Sequence, residues 1–537
     1  MTKEQVCEKL NRAETALGIE FGSTRIKAVL TDLDGNVLAM GEHDWENTLA
    51  DGIWTYPLEE IHSGLRSCYS DLRSKVKEEY GTGLKKIGAI GISAMMHGYM
   101  AFDQTGTLLT PFQTWRNSNT EKAAEELTQL FDFNIPLRWT IAHIYQCVLD
   151  HEKHAEKLAF VTTLDSYIHW MLTGEKVSGI GDASGIFPID SVSLDYDERM
   201  VRQFDELIQD RGYSWKLRDI LPKVLCAGQN AGVLTAEGAA FLDESGELEA
   251  GIPLCPPEGD AGTGMVATDS VAARTGNVSA GTSTFAMIVL ERKLKHLHRE
   301  IDMVTTPDGL PVAMAHANNG TSDLNAWVKL FHEFCGLFGI DADMGELYGK
   351  LYNASLQGDA DCGGLMSYGY YSGEGITRLN EGRPLFVRMP DSSFTLQNFM
   401  RAHLYSSIGA VKIGLDILFK EEGVKVDRIL GHGGLFKTKG VAQRYLAAAV
   451  NAPVTVMETA SEGGPWGMAV LAAFLLTGGK EGSLPEYLEN HIFRNQKGMT
   501  TAPDPADVKG FETYITHYKE GIPTEARAVE TMRWEKS

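Results

Sequence analysis

The stretch LGIEFGSTRIKAVLTDLDGN, residues 17–36, contains two apolar runs separated by Gly22-Ser23-Thr24. Alternating apolar residues before this turn and an apolar run after it predict two β-strands, and Asp-Leu-Asp-Gly-Asn predicts another tight turn. A simple hairpin prefers Asn-Gly or Asp-Gly at its tip. Glycine instead lets a ligand approach the backbone, where two hydroxyls and several N–H groups face it. The turn therefore indicates a phosphate site, with an unliganded hairpin as the alternative.

The same pattern returns about half a chain later. Residues 276–288, GNVSAGTSTFAMI, place Gly281-Thr282-Ser283-Thr284 between a short run and an apolar run. Two strand–glycine–hydroxyl–strand turns indicate a duplicated domain, in which each half offers one phosphate-binding turn to a shared cleft. Chance similarity of two short turns is the alternative.

A third glycine cluster lies in DRILGHGGLFK, residues 427–437. An apolar run reaches Gly431-His432-Gly433-Gly434, and a helical pattern follows. Glycine at a strand-to-helix junction lets a flat or charged group lie against the backbone. The sequence lacks the Gly-x-x-x-x-Gly-Lys-Ser/Thr of a P-loop, and the first strand is not followed by a dinucleotide-binding glycine fingerprint.

Length and charge restrict the class of protein. A chain of 537 residues is too long for one ordinary core, so two large domains or three are expected. The net charge of −23 argues against nucleic acid or an anionic membrane as the main partner, but ATP needs only local positive charge and Mg²⁺. Seven scattered cysteines without a Cys-x-x-Cys pair, and an N-terminus without an apolar segment, predict a cytoplasmic location.

The hydrophobic periodicity alternates between strand and helix, which predicts an α/β fold. The first dozen residues resemble a short helical extension. Strands are expected near 17–21, 26–31, 36–41 and 87–93. Helices are expected over 58–79, 120–131, 154–173, 199–210, 322–335, 395–420, 438–450 and 464–477.

The segment GIPLCPPEGDAGTGMVATD, residues 251–269, carries the first choice for a catalytic residue. Asp260 follows Gly259 and precedes Gly262 and Gly264, in a pattern that predicts a loop entering a helix. An N-cap aspartate is the alternative explanation. Capping does not require glycine on both sides, whereas a substrate needs that room. A carboxylate facing a sugar hydroxyl can accept its proton during phosphoryl transfer.

Two further segments carry side chains that are suited to binding a sugar. GISAMMHGYMAFD, residues 91–103, predicts a buried strand that ends at Met96-His97-Gly98, where an imidazole can hydrogen-bond a hydroxyl. PFQTWRNSNT, residues 111–120, offers the apolar face of Trp115 and the amides of Asn117 and Asn119. The alternatives are a structural histidine and an amphipathic surface turn.

Other chemistries have weaker support. His296-Leu-His298 could bind a metal, but it lies in ERKLKHLHRE, which is typical of a charged solvated face, and no third ligand is near in the sequence. His151 and His154 do not have the spacing of a zinc-protease helix. A Gly-x-Ser-x-Gly nucleophile elbow is absent from the sequence.

Taken in order, these segments resemble the FGGY family of carbohydrate kinases over roughly residues 16–480. IEFGSTRIKAVL and VSAGTST resemble its two phosphate motifs, ILGHGGLFK its adenosine motif and EGDAGTG the loop of its catalytic aspartate. Further segments that match in order are LDSYIHWMLTG, GDASGIF, DILPKVLCAGQNAGVLTAEG and EGGPWGMAVLAA. The resemblance implies an α/β fold of two ribonuclease-H-like, or actin-like ATPase, domains flanking a central cleft.

We therefore expect four segments in the chain. Residues 1–15 would form the helical extension, and 16–270 an N-terminal domain with the sugar site and the first phosphate motif. Residues 271–490 would form a C-terminal domain with the second phosphate and adenosine motifs, followed by a tail over 491–537.

The resemblance also implies a role for each motif. Asp260 would be the general base, and Glu20 together with Asp260 would hold Mg²⁺, which keeps much of its water shell. The sugar would contact Met96, His97, Trp115, Asn117 and Asp260. ATP would contact Gly22, Ser23, Thr24, Lys27, Gly281, Thr282, Ser283, Gly433, Gly434 and Lys437.

Within the family, Met-His-Gly is similar to xylulokinases, whereas glycerol kinases carry Arg-Glu there. The chain departs from the family pattern around the sugar and metal sites. The aspartate of the first phosphate motif is Glu20, the usual Trp-x-Asp-x-Arg-Thr has Asn117 and Asn119 in place of Asp and Arg, and Ala261 replaces Asn or Gln after Asp260.

The resemblance implies ATP-dependent phosphorylation of a hydroxyl of a small uncharged sugar, a ketopentose such as D-xylulose. Another ketose or a polyol, such as ribulose, a tetrulose, erythritol or a glycerol-like compound, is the alternative substrate. An actin-fold ATPase and a catalytically silent sugar sensor are alternatives of a different class. The expected partners are the sugar and ATP, without nucleic acid or membrane, and a homodimer is left open.

Overall fold

The computed structural model describes residues 1–457, 463–477, 480, 482–494 and 498–533. The chain forms two compact units. The first unit comprises Met1–Ala272, Met303–Val312 and Ala460–Asn495, and the second comprises Ala273–Asp302, Ala313–Thr459 and Gln496–Ser537. The expected C-terminal domain, 271–490, differs from this partition, because helix Gly463–Thr477 packs on the sheet of the first unit and groups with that unit. Glu462 of the EGGPWG segment and residues 495–497 and 534–537 of the expected tail lie outside the described residues.

The strands are numbered in chain order. Those that begin before residue 270 are Thr15–Phe21 (β1), Arg25–Asp32 (β2), Val37–Asp44 (β3), Thr48–Ala50 (β4), Ile53–Thr55 (β5), Ala89–Ala94 (β6), Met100–Phe102 (β7), Phe160–Thr162 (β8), Val177–Gly179 (β9), Ile189–Asp190 (β10), Asp195–Tyr196 (β11), Lys223–Leu225 (β12) and Glu258–Gly259 (β13). The others are Thr275–Ala280 (β14), Thr284–Val289 (β15), Asp302–Thr305 (β16), Pro311–Ala317 (β17), Leu365–Tyr368 (β18), Leu385–Arg388 (β19), Arg428–His432 (β20), Val454–Met457 (β21) and Gly498–Thr501 (β22).

The α-helices of the first unit are Lys3–Asn11, Leu58–Tyr80, Glu121–Phe131, Thr140–Leu149, Leu164–Thr173, Ile180–Ile186, Glu198–Ile208, Leu217–Ile220, Ala236–Leu242, Asp260–Ala267, Gly463–Thr477 and Leu484–Tyr487. Those of the second unit are Ser322–Leu337, Met344–Ser355, Leu396–Asp416, Val441–Val450 and Pro505–Thr531. Short 3₁₀ helices lie at Lys153–Lys157, Gln209–Arg211, Cys362–Gly364 and Gly434–Lys437, and single π turns at Ile417–Glu421 and Leu488–Ile492.

The main sheet of the first unit has the strand order β13-β6-β1-β2-β3. Strands β1 and β2 are antiparallel, with Phe21 opposite Ile26 across the Gly-Ser-Thr turn. Strands β6 and β13 continue the sheet in parallel with β1. The parallel strands therefore end at one edge, where the Gly22–Thr24 turn, Met96-His97 and Asp260 all follow a strand end.

The second unit repeats this arrangement. Its main sheet contains the strand order β17-β15-β14-β20-β21-β22, with β14 antiparallel to β15 and parallel to β20. The run β17-β15-β14-β20-β21 has the same order as β3-β2-β1-β6-β13. The duplicated design predicted from the two glycine turns is confirmed in the sheet topology.

Both faces of the first sheet are covered by helices whose backbones come very close. A Cβ added to Gly18 of β1 would lie 2.1 Å from the carbonyl oxygen of Pro465, in helix Gly463–Thr477. A Cβ added to Gly41 of β3 would lie 2.4 Å from the carbonyl oxygen of Cys68, in helix Leu58–Tyr80. Since register and alternation turn these two glycines to opposite faces, one helix presses on each face.

Several predicted elements agree with the structure, and one does not. The N-terminal extension is helix Lys3–Asn11, which begins at a capping box between Thr2 and Gln5. The single helix expected over 154–173 is wrong. Residues Phe160–Thr162 form a strand that pairs with Met100–Phe102, and helix Leu164–Thr173 follows it. A strand of three apolar residues is too short to show a period of two, so hydrophobic periodicity does not separate it from the helix that follows.

Within the described part of the chain, no helix has both the length and the apolar character needed to cross a bilayer.

The close contact at Gly18 makes a stability prediction. We expect Gly18→Ala to destabilise the protein by about 1–3 kcal/mol or more, because a methyl group cannot fit without moving helix Gly463–Thr477 away from β1. Urea unfolding followed by circular dichroism measures this change. Gly349→Ala is the control, since a Cβ at this helical position meets nothing within 4 Å and should be neutral or stabilising. Equal stability of the two variants would contradict the packing described here.

Candidate active site

Glu20 lies in the middle of the first sheet, one residue before the end of β1. Lys27 of β2 and Ser93 of β6 are its partners in the two neighbouring strands. The Thr263 hydroxyl in helix Asp260–Ala267 lies 3.4 Å from Glu20 Oε2, and Ser93 also hydrogen-bonds this carboxylate. The carboxylate is therefore surrounded by hydroxyls from one strand and one helix.

The environment of Glu20 favours its neutral form. Burial and, second, the negative charge of Asp260 raise the pKa of Glu20 to about 8, although Lys27 and the two hydroxyls act in the opposite direction. Two carboxylates close enough to repel each other are a common arrangement for binding a cation.

Gly464 makes room for the Glu20 carboxylate. A Cβ at Gly464 would lie 1.7 Å from Glu20 Oε2, so the first turn of helix Gly463–Thr477 directly contacts this group. Gly464 lies in the EGGPWG segment and was not among the predicted site residues. The sequence feature that marks it is a glycine pair at the start of a helix of otherwise continuous apolar character.

Asp260 is the first residue of helix Asp260–Ala267 and follows the short strand β13 directly. The backbone N–H of Met96 donates to Asp260 Oδ1 at 3.1 Å, which fixes the carboxylate at the edge of the sheet. Burial raises the pKa of Asp260, while hydrogen bonds from the backbone N–H groups of Met96, Ala261 and Asp260 itself oppose this shift. The residue also remains accessible to solvent. Asp260 is therefore a positioned carboxylate that solvent-borne molecules can reach.

His97 is held in an uncommon backbone conformation next to Asp260. Its φ is +72° and that of Gly98 is +129°, so the chain turns sharply after β6. The imidazole is buried, and it stacks on Trp139 with a centroid distance of 6.3 Å. A Cβ at Gly185 would lie 2.6 Å from His97 Nδ1, so helix Ile180–Ile186 presses against the ring. Strain of this kind at a non-glycine residue is common at functional sites.

The segment around Trp115 is an exposed turn. Trp115 is 40% exposed and lies in this turn together with Arg116. The Arg116 guanidinium lies 3.6 Å from the centre of the Trp54 ring and donates to Asn47. Trp115 presents an apolar face to solvent, as a sugar platform requires.

Asn117, which was predicted to contact substrate, makes hydrogen bonds within the protein. Its Oδ1 accepts from the backbone N–H of Trp54, and its Nδ2 donates to the carbonyl oxygens of Trp54 and Thr114. The bonds to Trp54 attach this loop to β5, and the bond to Thr114 lies within the loop. The side chain is buried, and its contact with a sugar stays a prediction.

Two aromatic side chains hold the first glycine turn. Trp45 Nε1 donates to the Gly22 carbonyl at 2.7 Å, and Tyr56 donates its hydroxyl to the Ser23 carbonyl at 2.6 Å. The rings of Trp45 and Tyr56 stack at 4.0 Å. These two hydrogen bonds and the stacked rings support the backbone of the turn.

The second glycine turn is held by a loop that the sequence analysis missed. The backbone N–H of Gly320 donates to the Thr282 carbonyl, and both the N–H and the hydroxyl of Thr321 donate to the Gly281 carbonyl at 2.9 Å. Thr321 directly precedes helix Ser322–Leu337. The signal was Asn-Gly-Thr-Ser before a helix, a typical helix-start pattern.

The structural need for glycine differs among three positions of the second unit. Gly433 has φ +97°, and a Cβ there would lie 2.6 Å from the Ala280 carbonyl oxygen, so the fold itself requires glycine. A Cβ at Gly281 would meet only the Ser283 carbonyl oxygen, at 3.9 Å, and a Cβ at Gly434 would meet nothing within 4 Å. The fold therefore leaves room for side chains at Gly281 and Gly434. Lys437 lies exposed at the end of the same 3₁₀ helix.

A buried carboxylate behind Asp260 is a further residue that the sequence analysis missed. Glu258 accepts hydrogen bonds from the backbone N–H groups of Gly259, Gly181 and Asp182, so it attaches helix Ile180–Ile186 to the segment that carries Asp260. Burial raises the pKa of Glu258 to about 8. Glycine at residues 179, 181 and 262 is needed for this packing, since a Cβ at each would approach the carboxylate within 3.0 Å.

The donor set around Glu20 fits Mg²⁺. Glu20 and Asp260 provide carboxylate oxygens, and Ser93 and Thr263 provide neutral hydroxyl oxygens. Oxygen donors without thiolate or imidazole suit a hard divalent cation. Such an ion would also remove the repulsion between the two carboxylates.

The raised pKa of Glu20 predicts that this residue destabilises the metal-free protein. Between its ordinary pKa near 4.5 and about 8, the unfolded chain ionises Glu20 while the folded protein keeps it neutral, so stability falls as pH rises. Glu20→Gln should therefore be more stable than wild type by about 1–3 kcal/mol at pH 7.5. The difference should vanish at pH 4.5. Urea unfolding without Mg²⁺ at both pH values measures it, and a difference independent of pH would contradict the assignment.

Comparison with known proteins follows this geometry. The chain matches the N-terminal domain of the FGGY family of carbohydrate kinases over residues 15–266 and the C-terminal domain over residues 276–476. It is 23% identical to a xylulose kinase of Haemophilus influenzae over 533 residues, which covers 93% of this chain and 99% of the relative.

Solved structures share the fold. A ligand-bound xylulose kinase from Lactobacillus acidophilus has a TM-score of 0.78 with this chain at 17% identity, covering 97% of this chain and 100% of that one. A gluconate kinase from Lactobacillus acidophilus has the same TM-score and identity, covering 97% of this chain and 99% of that one. The two sequence matches span both glycine turns, Asp260 and the Gly431–Gly434 segment. The chain belongs to the FGGY family of carbohydrate kinases, enzymes that transfer a phosphoryl group from ATP to a sugar.

Proposed function

We propose that this protein phosphorylates a hydroxyl of a small uncharged sugar, a ketopentose such as D-xylulose, with Mg·ATP as donor and Asp260 as general base. The observation that carries the proposal is the Asp260 carboxylate. It is fixed by the Met96 N–H at 3.1 Å, accessible to solvent, and adjacent in the fold to His97 and Glu20. A general base must be both positioned and reachable.

The raised pKa of Asp260 supports this role. A carboxylate with a pKa above its ordinary value holds a proton more strongly, so it accepts one from a sugar hydroxyl more readily. As the hydroxyl loses its proton to Asp260, its oxygen forms a bond to the γ-phosphorus of ATP, the bond from that phosphorus to the bridging oxygen breaks, and ADP leaves.

We assign the nucleotide to the two glycine turns and to the Gly433–Lys437 segment. The support comes from Gly281 and Gly434. The fold has room for a side chain at both positions, so packing within the protein does not explain why they are glycine. Close approach of a phosphate or an adenine to the backbone would explain glycine at these positions. Ser23, Thr24, Thr282 and Ser283 add hydroxyl donors, and Lys27 and Lys437 add positive charge.

Mg²⁺ would be held by Glu20 and Asp260, with most of its water shell retained. When bound, the ion would neutralise charge on the phosphates of ATP. Glu20 is one methylene longer than the aspartate usual in the family, and Gly464 provides the space that its carboxylate occupies.

For the sugar we propose contacts with Met96, His97 and Trp115. These offer an apolar surface and an imidazole, which suit hydroxyls better than a charged group. The similarity to a xylulose kinase along nearly the whole chain favours a ketopentose. Ribulose, a tetrulose, a polyol and gluconate are the substrates against which this proposal is tested.

The decisive experiment combines a substrate panel with Asp260→Asn. Wild type should phosphorylate D-xylulose or another neutral ketose with the highest kcat/KM, measured by coupled ADP release. Asp260→Asn should lower kcat by ~10²–10⁴-fold, because the proton acceptor is lost, while ATP affinity is retained. Asp51→Asn is the matched control, since Asp51 lies in an exposed turn with φ +50°, which asparagine adopts easily.

Three results would contradict parts of the proposal. An Asp260→Asn variant within threefold of wild type would remove the general-base role. Gluconate as the best substrate would overturn the uncharged sugar class but leave the kinase reaction. ATP turnover that no sugar accelerates would indicate an ATPase.

The nucleotide assignment predicts that Gly281→Ala and Gly434→Ala weaken ATP binding by roughly tenfold, about 1.4 kcal/mol, without loss of stability. The reason is that each added methyl group fits the protein but occupies space assigned to the ligand. Isothermal titration with ATP and thermal unfolding measure the two effects separately. Gly433→Ala should instead lower stability, because of its positive φ and its contact with Ala280. Unchanged ATP affinity in both of the first variants would refute the assignment.

A further inference from the structure

Two histidines and one carboxylate meet in the second unit, and none of them has an assigned role in catalysis. His296 and His298 lie in the loop between β15 and β16. Glu422 follows the π turn Ile417–Glu421 at the end of the long helix that begins at Leu396. The sequence offered no third ligand near the His-Leu-His pair, because Glu422 is more than 120 residues further along the chain.

The ligand atoms of the three side chains lie close together. His296 Nδ1 lies 3.1 Å and His298 Nε2 lies 2.8 Å from the same Glu422 oxygen, Oε1. One ligand atom from each residue lies within 4.8 Å of the others. Ligands around a tetrahedral zinc ion, at bond lengths near ~2.0–2.2 Å, are separated from one another by roughly 3.3 Å. The two separations from Glu422 Oε1 are slightly shorter than this, so a small movement of Glu422 away from the imidazoles would accommodate an ion.

The carboxylate is fixed before any metal binds. Glu422 is 2% exposed, and its oxygens accept hydrogen bonds from the backbone N–H groups of Lys295 and His296. Hydrogen bonds of this kind, from the surrounding protein to a ligand residue, orient that residue and strengthen metal binding.

We propose that His296, His298 and Glu422 form a binding site for a divalent transition-metal ion, for which Zn²⁺ is the best candidate. Two imidazoles and one carboxylate form a ligand set that zinc accepts, with a fourth position for water. The same set disfavours Mg²⁺, which prefers oxygen ligands alone. His296 is 71% exposed, so an ion can enter from solvent.

The ion would connect the β15–β16 loop to the end of a long helix. Basic residues lie close to the site, because Arg292, Lys293 and Lys425 line a cavity of about 290 Å³ together with Glu422. Their positive charges weaken the attraction of a cation. We therefore expect micromolar affinity rather than the tighter binding of a four-ligand structural zinc site.

The test uses the full chain without a histidine tag, freed of metal with a chelator and dialysed into buffer with excess Mg²⁺. Titration with Zn²⁺ against a chromophoric zinc chelator should give one ion per chain, and Zn²⁺ should raise the melting temperature. His298→Gln can still donate a hydrogen bond to Glu422 but is a poor zinc ligand. We expect it to bind Zn²⁺ about 100-fold more weakly and to lose the thermal shift.

A second variant, His296→Gln, should weaken zinc binding in the same way, and both variants should keep wild-type phosphorylation rates in Mg²⁺. Cobalt provides an independent readout, since Co²⁺ in such a site gives visible absorption bands that the variants should lack. Absence of zinc binding by wild type would overturn the proposal. Equal zinc binding by wild type and both variants would also overturn it, and would leave the histidines as hydrogen-bond donors only.

Discussion

The contact between β1 and the backbone of helix Gly463–Thr477 is the constraint on which the active-site half of this protein depends. Gly18 and Glu20 are two residues apart on β1, so they point to the same face, and both meet the first turns of that helix. At Gly18 the helix backbone touches the strand. At Glu20 the absence of a side chain on Gly464 leaves just enough space for a carboxylate. If the helix moved outward, neither the buried sheet nor the position of Glu20 would be kept.

This contact places the Glu20 carboxylate where its ionisation is unfavourable. Glu20 is removed from much of the surrounding water and repelled by Asp260, which favours its neutral form. Proteins tolerate such groups mainly where function needs them. The same edge of the sheet holds the left-handed His97 and the buried Glu258, so several unfavourable features lie together.

Local patterns predicted the parts of this structure that depend on neighbouring residues. The two strand–glycine–strand turns, the strand before Gly431 and the loop that enters the helix at Asp260 all follow from periodicity and glycine placement. The sequence could not predict contacts between distant segments. Asn117 has the chemistry of a sugar ligand, yet its amide replaces backbone hydrogen bonds to Trp54. The role of Gly464 depends on Glu20, more than 400 residues away, and the third partner of His296 and His298 appears only in the fold. The three-residue strand Phe160–Thr162 was too short to show a period.

The placement of residues Ala460–Asn495 in the first unit has a consequence for biosynthesis. The ribosome makes β1 first and the helix that covers it about 450 residues later. During most of translation one face of the first sheet therefore lacks its covering helix, and apolar strand residues there are exposed to other chains. Nascent chains with such surfaces aggregate unless they are protected. Chaperone binding to the growing chain should thus persist until the ribosome has passed residue 477 and the helix has left the exit tunnel, even though the duplicated second sheet is largely complete earlier.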